Sequence, residues 1–311
     1  MKSDKKLQNL SMKLVKQHWQ MYLMLFLPLV WLLIFRYYPM LGAQIAFKHF
    51  RASLGIWGSE WVGLTNFIRF FKSYQFKRVI SNTLLLSMYQ LIAGFPLPVI
   101  FALLLNTVTR EGYKKFVQTI TYLPYFISIV VMVGILLQVF DPIIGLYGKA
   151  VFALTGTRGM DLFGKAQIFP HLYVWSGVWQ NMGWNSIIYL AALSSVSAEL
   201  HEAGKIDGMN RFMRVVYIDL PAILPTITIL LILNSGRIMN LDFEKVFLMQ
   251  NNLNLSRSEV ISTYVYKVGL AVGGGDFSFA TAIGLFNSAV NLVLITTVNR
   301  ICRKLGGTSL W

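Results

Sequence analysis

The chain is poor in much of what soluble enzymes rely on. It has one cysteine, Cys302, so no internal disulfide can form, and that thiol reads as an inert side chain near the chain end. Charged residues make up 13% of it, against about 25% in a typical soluble domain. Acidic residues are the scarcer sign, 13 against 28 Lys and Arg, and none falls within the long apolar runs. A proton- or sodium-driven carrier commonly keeps a carboxylate at membrane depth, so this absence weighs against the alternative of a self-contained secondary sugar carrier. The phosphate-cradling G-x-x-x-x-G-K-[ST] is missing, so no ATP site of that kind belongs to the chain itself. "HEAGK" at 201–205 starts like the zinc motif H-E-x-x-H, but Lys205 replaces the second histidine and no metal site results. "GGGDF" at 273–277 has no following Lys-Ser/Thr and reads as an external turn. An intramembrane lipid-linked sugar transferase would need paired acids or a metal motif at a membrane face, and neither is found.

What is abundant is apolar sequence: 55% of residues are hydrophobic and the mean hydropathy is +0.56. We expect an all-α integral membrane protein with six spans, at 20–42, 80–107, 116–140, 168–196, 221–239 and 280–299. Each is long enough to cross about 30 Å of hydrocarbon. The net charge of +15 is spread through short segments beside these spans. That distribution suits membrane orientation and contact with anionic lipid, and it excludes a nucleic-acid partner. Five lysines precede "MYLMLFLPLVWLLIF", and no small-residue cleavage site follows, so the first span reads as uncleaved. Basic residues are about twice as dense in 1–19, 108–115, 197–220 and 300–311 as in 43–79, 141–167 and 240–279, which predicts both termini in the cytoplasm of a plasma-membrane protein. The domain division is a cytoplasmic segment 1–19 and a transmembrane domain 20–311.

Prolines interrupt the spans at Pro28, Pro96, Pro98 and Pro124, as in the discontinuous helices of transporters or in static kinks. "GIWGSEWVGLTNFIRFF" carries aromatics along a short amphipathic stretch, as an interfacial helix on the outer leaflet would. It anchors the chain or docks an external protein.

The sharpest feature is "ELHEAGKIDGMNRFMRVVYIDLP", a polar insert between two apolar runs. Asp207-Gly208 is a turn dipeptide. Met209, Phe212, Met213, Val216 and Tyr217 then recur at helical spacing, so the insert predicts a helix–turn–helix at 197–220. Its apolar stripe fits its own bundle or a partner's groove equally well. Pro221 would occupy the first turn of the next span.

From Glu202 and Ala203 through Gly204, Gly208, Ile218 and Leu220 to Pro221, the insert resembles the E-A-A-x3-G-x9-I-x-L-P loop of binding-protein-dependent ABC importer permeases, with glycine at the third position. "YYPMLGAQIAFKHF", "KKFVQTITYLPYFIS", "GWNSIIYLAAL", "FSFATAIGLFNSAVNLVL" and "TSLW" extend the resemblance over nearly the whole chain, toward the lipoprotein-associated polysaccharide permeases, a branch of the maltose-type sugar importers. The resemblance implies a type I importer permease fold. It also implies a second homologous permease, a pair of ATPases that bind the ATP and Mg, and an extracellular solute-binding protein that delivers an oligosaccharide. Carried onto this chain, Glu202 would contact a basic ATPase residue, Gly208 would permit the bend, and 209–217 would fill the ATPase cleft.

A sugar path needs hydroxyl partners and flat faces. Asn234 and Arg237 share one face of span five, with Asn240 near its end. Asn287 and Asn291 do the same on span six, and Trp179, Gln180 and Trp184 cluster on span four. Interhelical hydrogen bonds explain the asparagines equally well, and core packing the tryptophans.

Overall fold

The computed structural model describes residues 17–271 and 275–306. The N-terminal lysines, Gly273 and Gly274 of the glycine-rich turn, and the terminal "TSLW" lie outside the described residues. Most of what is described is helical; the strands among the described residues are one short antiparallel pair, Lys48 with Trp61 and His49 with Glu60.

Helix α1 (Trp19–Leu32) continues through a π turn and a 3-10 stretch to Phe47, giving one 29-residue apolar run. It buries no residue of its own from Trp19 to Leu32. Pro28 lies inside it without breaking it. After the strand pair comes α2 (Thr65–Lys72), the expected amphipathic piece. Phe70 is fully buried among Phe76, Phe279 and Phe286, while Ile68 and Phe71 are exposed. Buried Asn66 donates to the carbonyls of Ala46 and Lys48, which fixes this outer segment to the end of the first run.

Helices α3 (Tyr74–Gly94) and α4 (Pro96–Asn106) form one 33-residue run, with Pro96 at the first turn of the second piece, where no carbonyl awaits its missing N–H. The third expected span is broken. Helix α5 (Glu111–Tyr122), extended by a 3-10 turn at Leu123–Phe126, meets α6 (Ile129–Val139) at 99°. Pro124 sits in that 3-10 turn, Ile127 is extended, and Ser128 caps the new helix by accepting from the Val131 amide. A straight crossing over 116–140 is therefore replaced by a sharp elbow.

A short helix, α7 (Leu146–Thr155), leads to α8 (Phe169–Ser194), the centre of the bundle. It packs on α3, α4 and α5, and Phe169, Tyr173, Val174 and Val178 join Leu86, Met132 and Val246 in the largest core cluster. With His171, Gln180, Asn181 and Asn185 along it, α8 is long enough to cross but is not among the runs apolar enough to do so by composition alone; protein on several sides makes those polar residues tolerable.

The polar insert folds as α9 (Ala198–Ile206) and α10 (Arg211–Arg214). One expectation fails here. The second limb is not separate from the fifth span: α10 passes through a π turn, Val215–Asp219, into α11 (Leu220–Ser235), a single 25-residue run. The widened turn accommodates Pro221, which lies inside the run and offers no N–H to the preceding turn. Short helices, among them α12 (Phe243–Met249) and α13 (Ile261–Tyr266), precede the long α14 (Phe277–Gly306). By length and composition four described runs suit a membrane crossing, or five when the elbow counts as one.

Candidate functional site

Two places in the fold gather unusual chemistry: the hairpin 197–220 and a hollow inside the bundle.

At the hairpin, Ser197 caps α9, and Asn210 caps α10 by accepting from the Met213 amide at 2.8 Å. Gly208 is left-handed at φ 78°, the conformation that ends a helix at little cost only for glycine. Gly204 is buried, and a methyl there would stand 3.2 Å from both Ile218 Cδ1 and Met209 Sδ. The glycine thus lets α9 lie close against the π turn. Beside it, Asp219 is 2% exposed and its carboxylate accepts from Asn106 Nδ2 (3.3 Å), at the end of α4, while His201 Nε2 lies 3.2 Å away. One carboxylate therefore ties α9, α4 and the start of α11 together. The outer side of the hairpin is the reverse: Glu202, Ala203 and Asp207 are exposed, as are Ile206 (86%), Phe212 (75%) and Met213. The apolar stripe does not lie down wholly on its own bundle.

The hollow measures about 770 Å³ and is lined by α3, α4, α8, α11 and the turn after α11. It brings together Trp184, Asn234, Arg237 and Asn240 from the expected sugar path. Tyr125, at the elbow, stacks on Trp184 at 4.3 Å between ring centroids. Gln180 is buried and donates to the Ile127 carbonyl, pinning the elbow instead of facing the hollow. Trp179 is half exposed and is not part of the lining. Asn287 and Asn291 stand behind, both donating to Asn240 Oδ1 at 2.8 and 3.0 Å, so they orient a lining amide from α14.

A scan against protein-family models matches residues 94–306 to the "Binding-protein-dependent transport system inner membrane component" family. The chain belongs to this family. It is a multi-pass membrane permease subunit of ABC-importer type and carries no catalysis of its own. It is similar to protein LplB of Bacillus subtilis, 42% identical over 94% of this chain and 91% of that one. It is also similar to the polygalacturonan/rhamnogalacturonan transport system permease protein YteP of the same organism, 40% identical over 97% and 92%. Among solved structures, a bacterial alginate ABC transporter, in complex with an alginate pentasaccharide-bound periplasmic protein, superposes with a TM-score of 0.87 at 37% identity, over 96% of this chain and 99% of that chain. The type I importer permease fold is thereby established.

The permease lines its hollow with residues the sequence reading passed over: Ser87, Gln90, Asn181, Asn185 and Tyr189. Ser87 Oγ and Gln90 Oε1 are buried without a hydrogen-bond partner, an arrangement that costs free energy unless a ligand or water completes it. A signal existed, since Gln90 is the one polar residue between Ser87 and Pro96. Asn181 and Asn185, four apart, point to a shared helix face that Trp179 and Gln180 do not occupy. Lys245 gave no such signal. It sits on α12, is 4% exposed, donates to the Tyr173 carbonyl at 2.7 Å and lies over the Tyr173 ring. Burial pushes its ammonium down to about 8, with Asp242 pulling the other way.

Proposed function

We propose that this permease imports an oligosaccharide through its central hollow, driven by ATP and Mg held on a partner ATPase pair that grips the hairpin 197–220. The observation that carries the reading is the hairpin's two-sidedness. One side is clamped to the bundle through Asp219, and the other presents Glu202, Ile206 and Phe212 outward. A lever needs both a rigid anchor and a free gripping surface. Closure of the ATPases would push the hairpin and rock the bundle, opening the hollow alternately to the two sides. The relatives support a saccharide cargo, as their names refer to polygalacturonan, rhamnogalacturonan and alginate. An extracellular solute-binding protein would deliver it, as the alginate transporter's periplasmic protein carries a pentasaccharide.

A second permease completes the membrane unit. The exposed, largely apolar surface of α1 supports this, since from Trp19 to Leu32 it has no buried residue. Read as six crossings, with α5–α6 as a broken third and α8 as the shielded fourth, the chain would keep both termini and the hairpin on one side, and the density of basic residues favours the cytoplasmic side of a plasma membrane.

Purification tests the reading. The permease should co-elute with an ATPase whose hydrolysis rises with a sugar-loaded binding protein. Sugar uptake by the chain alone, driven by an ion gradient, would establish the secondary carrier instead.

A further inference from the structure

The hollow is electrically one-sided. Its described lining holds four asparagines, a glutamine, a serine and a tyrosine, and its one ionic group is Arg237; no Asp or Glu is among them. Among the described residues, no carboxylate stands within ion-pair distance of that guanidinium. A second cation stands just behind the wall. A methyl at Gly177 would be 3.0 Å from Lys245 Nζ and 3.3 Å from Gln90 Nε2, and both Gly177 and Gln90 line the hollow. Lys245 donates to the Tyr173 carbonyl and has Asp242 as its charged neighbour, so Arg237 is the cation that faces an occupant. A lone guanidinium among amides and hydroxyls, with no acid in the lining, favours a negative occupant. Also in the lining, Ser87 is 3% exposed and its Oγ has no partner, a polar group left for the occupant to satisfy.

We propose that the hollow is selective for an acidic oligosaccharide, with one uronate carboxylate held by Arg237 and the sugar hydroxyls taken by Ser87, Gln90 and the asparagines. The inference rests on the import reading above. One guanidinium presents a planar fork that matches a planar, singly charged carboxylate. A phosphate ester would bring roughly twice the charge, against a single facing guanidinium. A neutral sugar would leave the guanidinium unpaired once water is displaced.

The test uses the whole importer in proteoliposomes, with trisaccharides of galacturonate, mannuronate and guluronate and the methyl ester of each, which keeps the skeleton and removes the charge. At least one acid should be taken up about ten-fold or more faster than its ester, the effect expected of one charge-assisted contact. Arg237→Gln should collapse that acid-to-ester ratio toward one, and Arg237→Lys should retain part of it. A folding defect lowers both uptakes together and leaves the ratio in place. Equal uptake of acid and ester, uptake of the ester alone, or an unchanged ratio in Arg237→Gln overturns the selectivity while leaving import standing. If no sugar is taken up and none raises ATP hydrolysis, the import reading falls and the selectivity with it.

Discussion

Gly204 stands where the family signature has alanine, and its surroundings show the reason. The contacts a methyl would meet, Ile218 Cδ1 and Met209 Sδ, are the ends of flexible side chains. An alanine gains roughly 1 kcal/mol of helix propensity and loses a comparable amount to crowding. Gly204→Ala should therefore change stability by less than about 1 kcal/mol, whereas Gly204→Phe should lift α9 off the π turn and stop uptake. Thermal unfolding in detergent beside an uptake assay checks both, and a large loss from alanine would show the packing to be tighter than described. Lys245 gives a pH prediction. Its folded value near 8 lies below its ordinary value of 10.5, so the folded state releases its proton first. The cost of burying the charge is fully present below pH 8 and fades as the pH rises through 10.5, a difference of about 3 kcal/mol. Wild type should gain stability relative to Lys245→Met between pH 7 and pH 10. Parallel melting curves at both pH values would mean the ammonium is not buried.

The hairpin is the element on which coupling depends. Asp219→Ala removes the shared acceptor of Asn106 and His201 and leaves a half-buried amide unpaired, at a cost of about 1 kcal/mol. The permease should still reach the membrane, but sugar moved per ATP hydrolysed should fall several-fold, because a loosened lever absorbs the ATPase movement. An unchanged ratio would show that the clamp is not part of the drive. Glu202→Lys acts on the other side. It should abolish sugar-stimulated hydrolysis with the clamp intact, and full stimulation in that variant would move the ATPase contact elsewhere. The helix–turn–helix was legible from Asp207-Gly208 and the spacing of Met209, Phe212 and Met213. The clamp was not. His201 and Asp219 are 18 positions apart in sequence, on different helices, with Asn106 far upstream, and no periodicity links them. The run-on of α10 into α11 was equally hidden, because a π turn leaves no compositional mark and Pro221 reads as a start.

For the whole molecule, the exposed first helix and the orientation make the firmest tests. With Cys302 replaced by serine, a cysteine at Met24 should cross-link to a second membrane chain in the assembled complex, and failure across the exposed faces of α1 would leave that helix facing lipid alone. In the same background, a cysteine at Ile206 should be shielded from an impermeant thiol reagent added outside intact cells, while one at Leu54 reacts. The reverse pattern would invert the topology and end the coupling reading.

Read alone, the amino-acid order determined the solvent, the class and the place of the hairpin. Long uncharged runs admit no environment but lipid, and the E-A-G-x3-G-x9-I-x-L-P spacing is carried by contiguous residues. Tertiary structure decided the elbow angle, the Asp219 clamp and which polar side chains share the hollow. Those depend on which face of each helix turns inward, and that is set by packing between segments far apart in the chain.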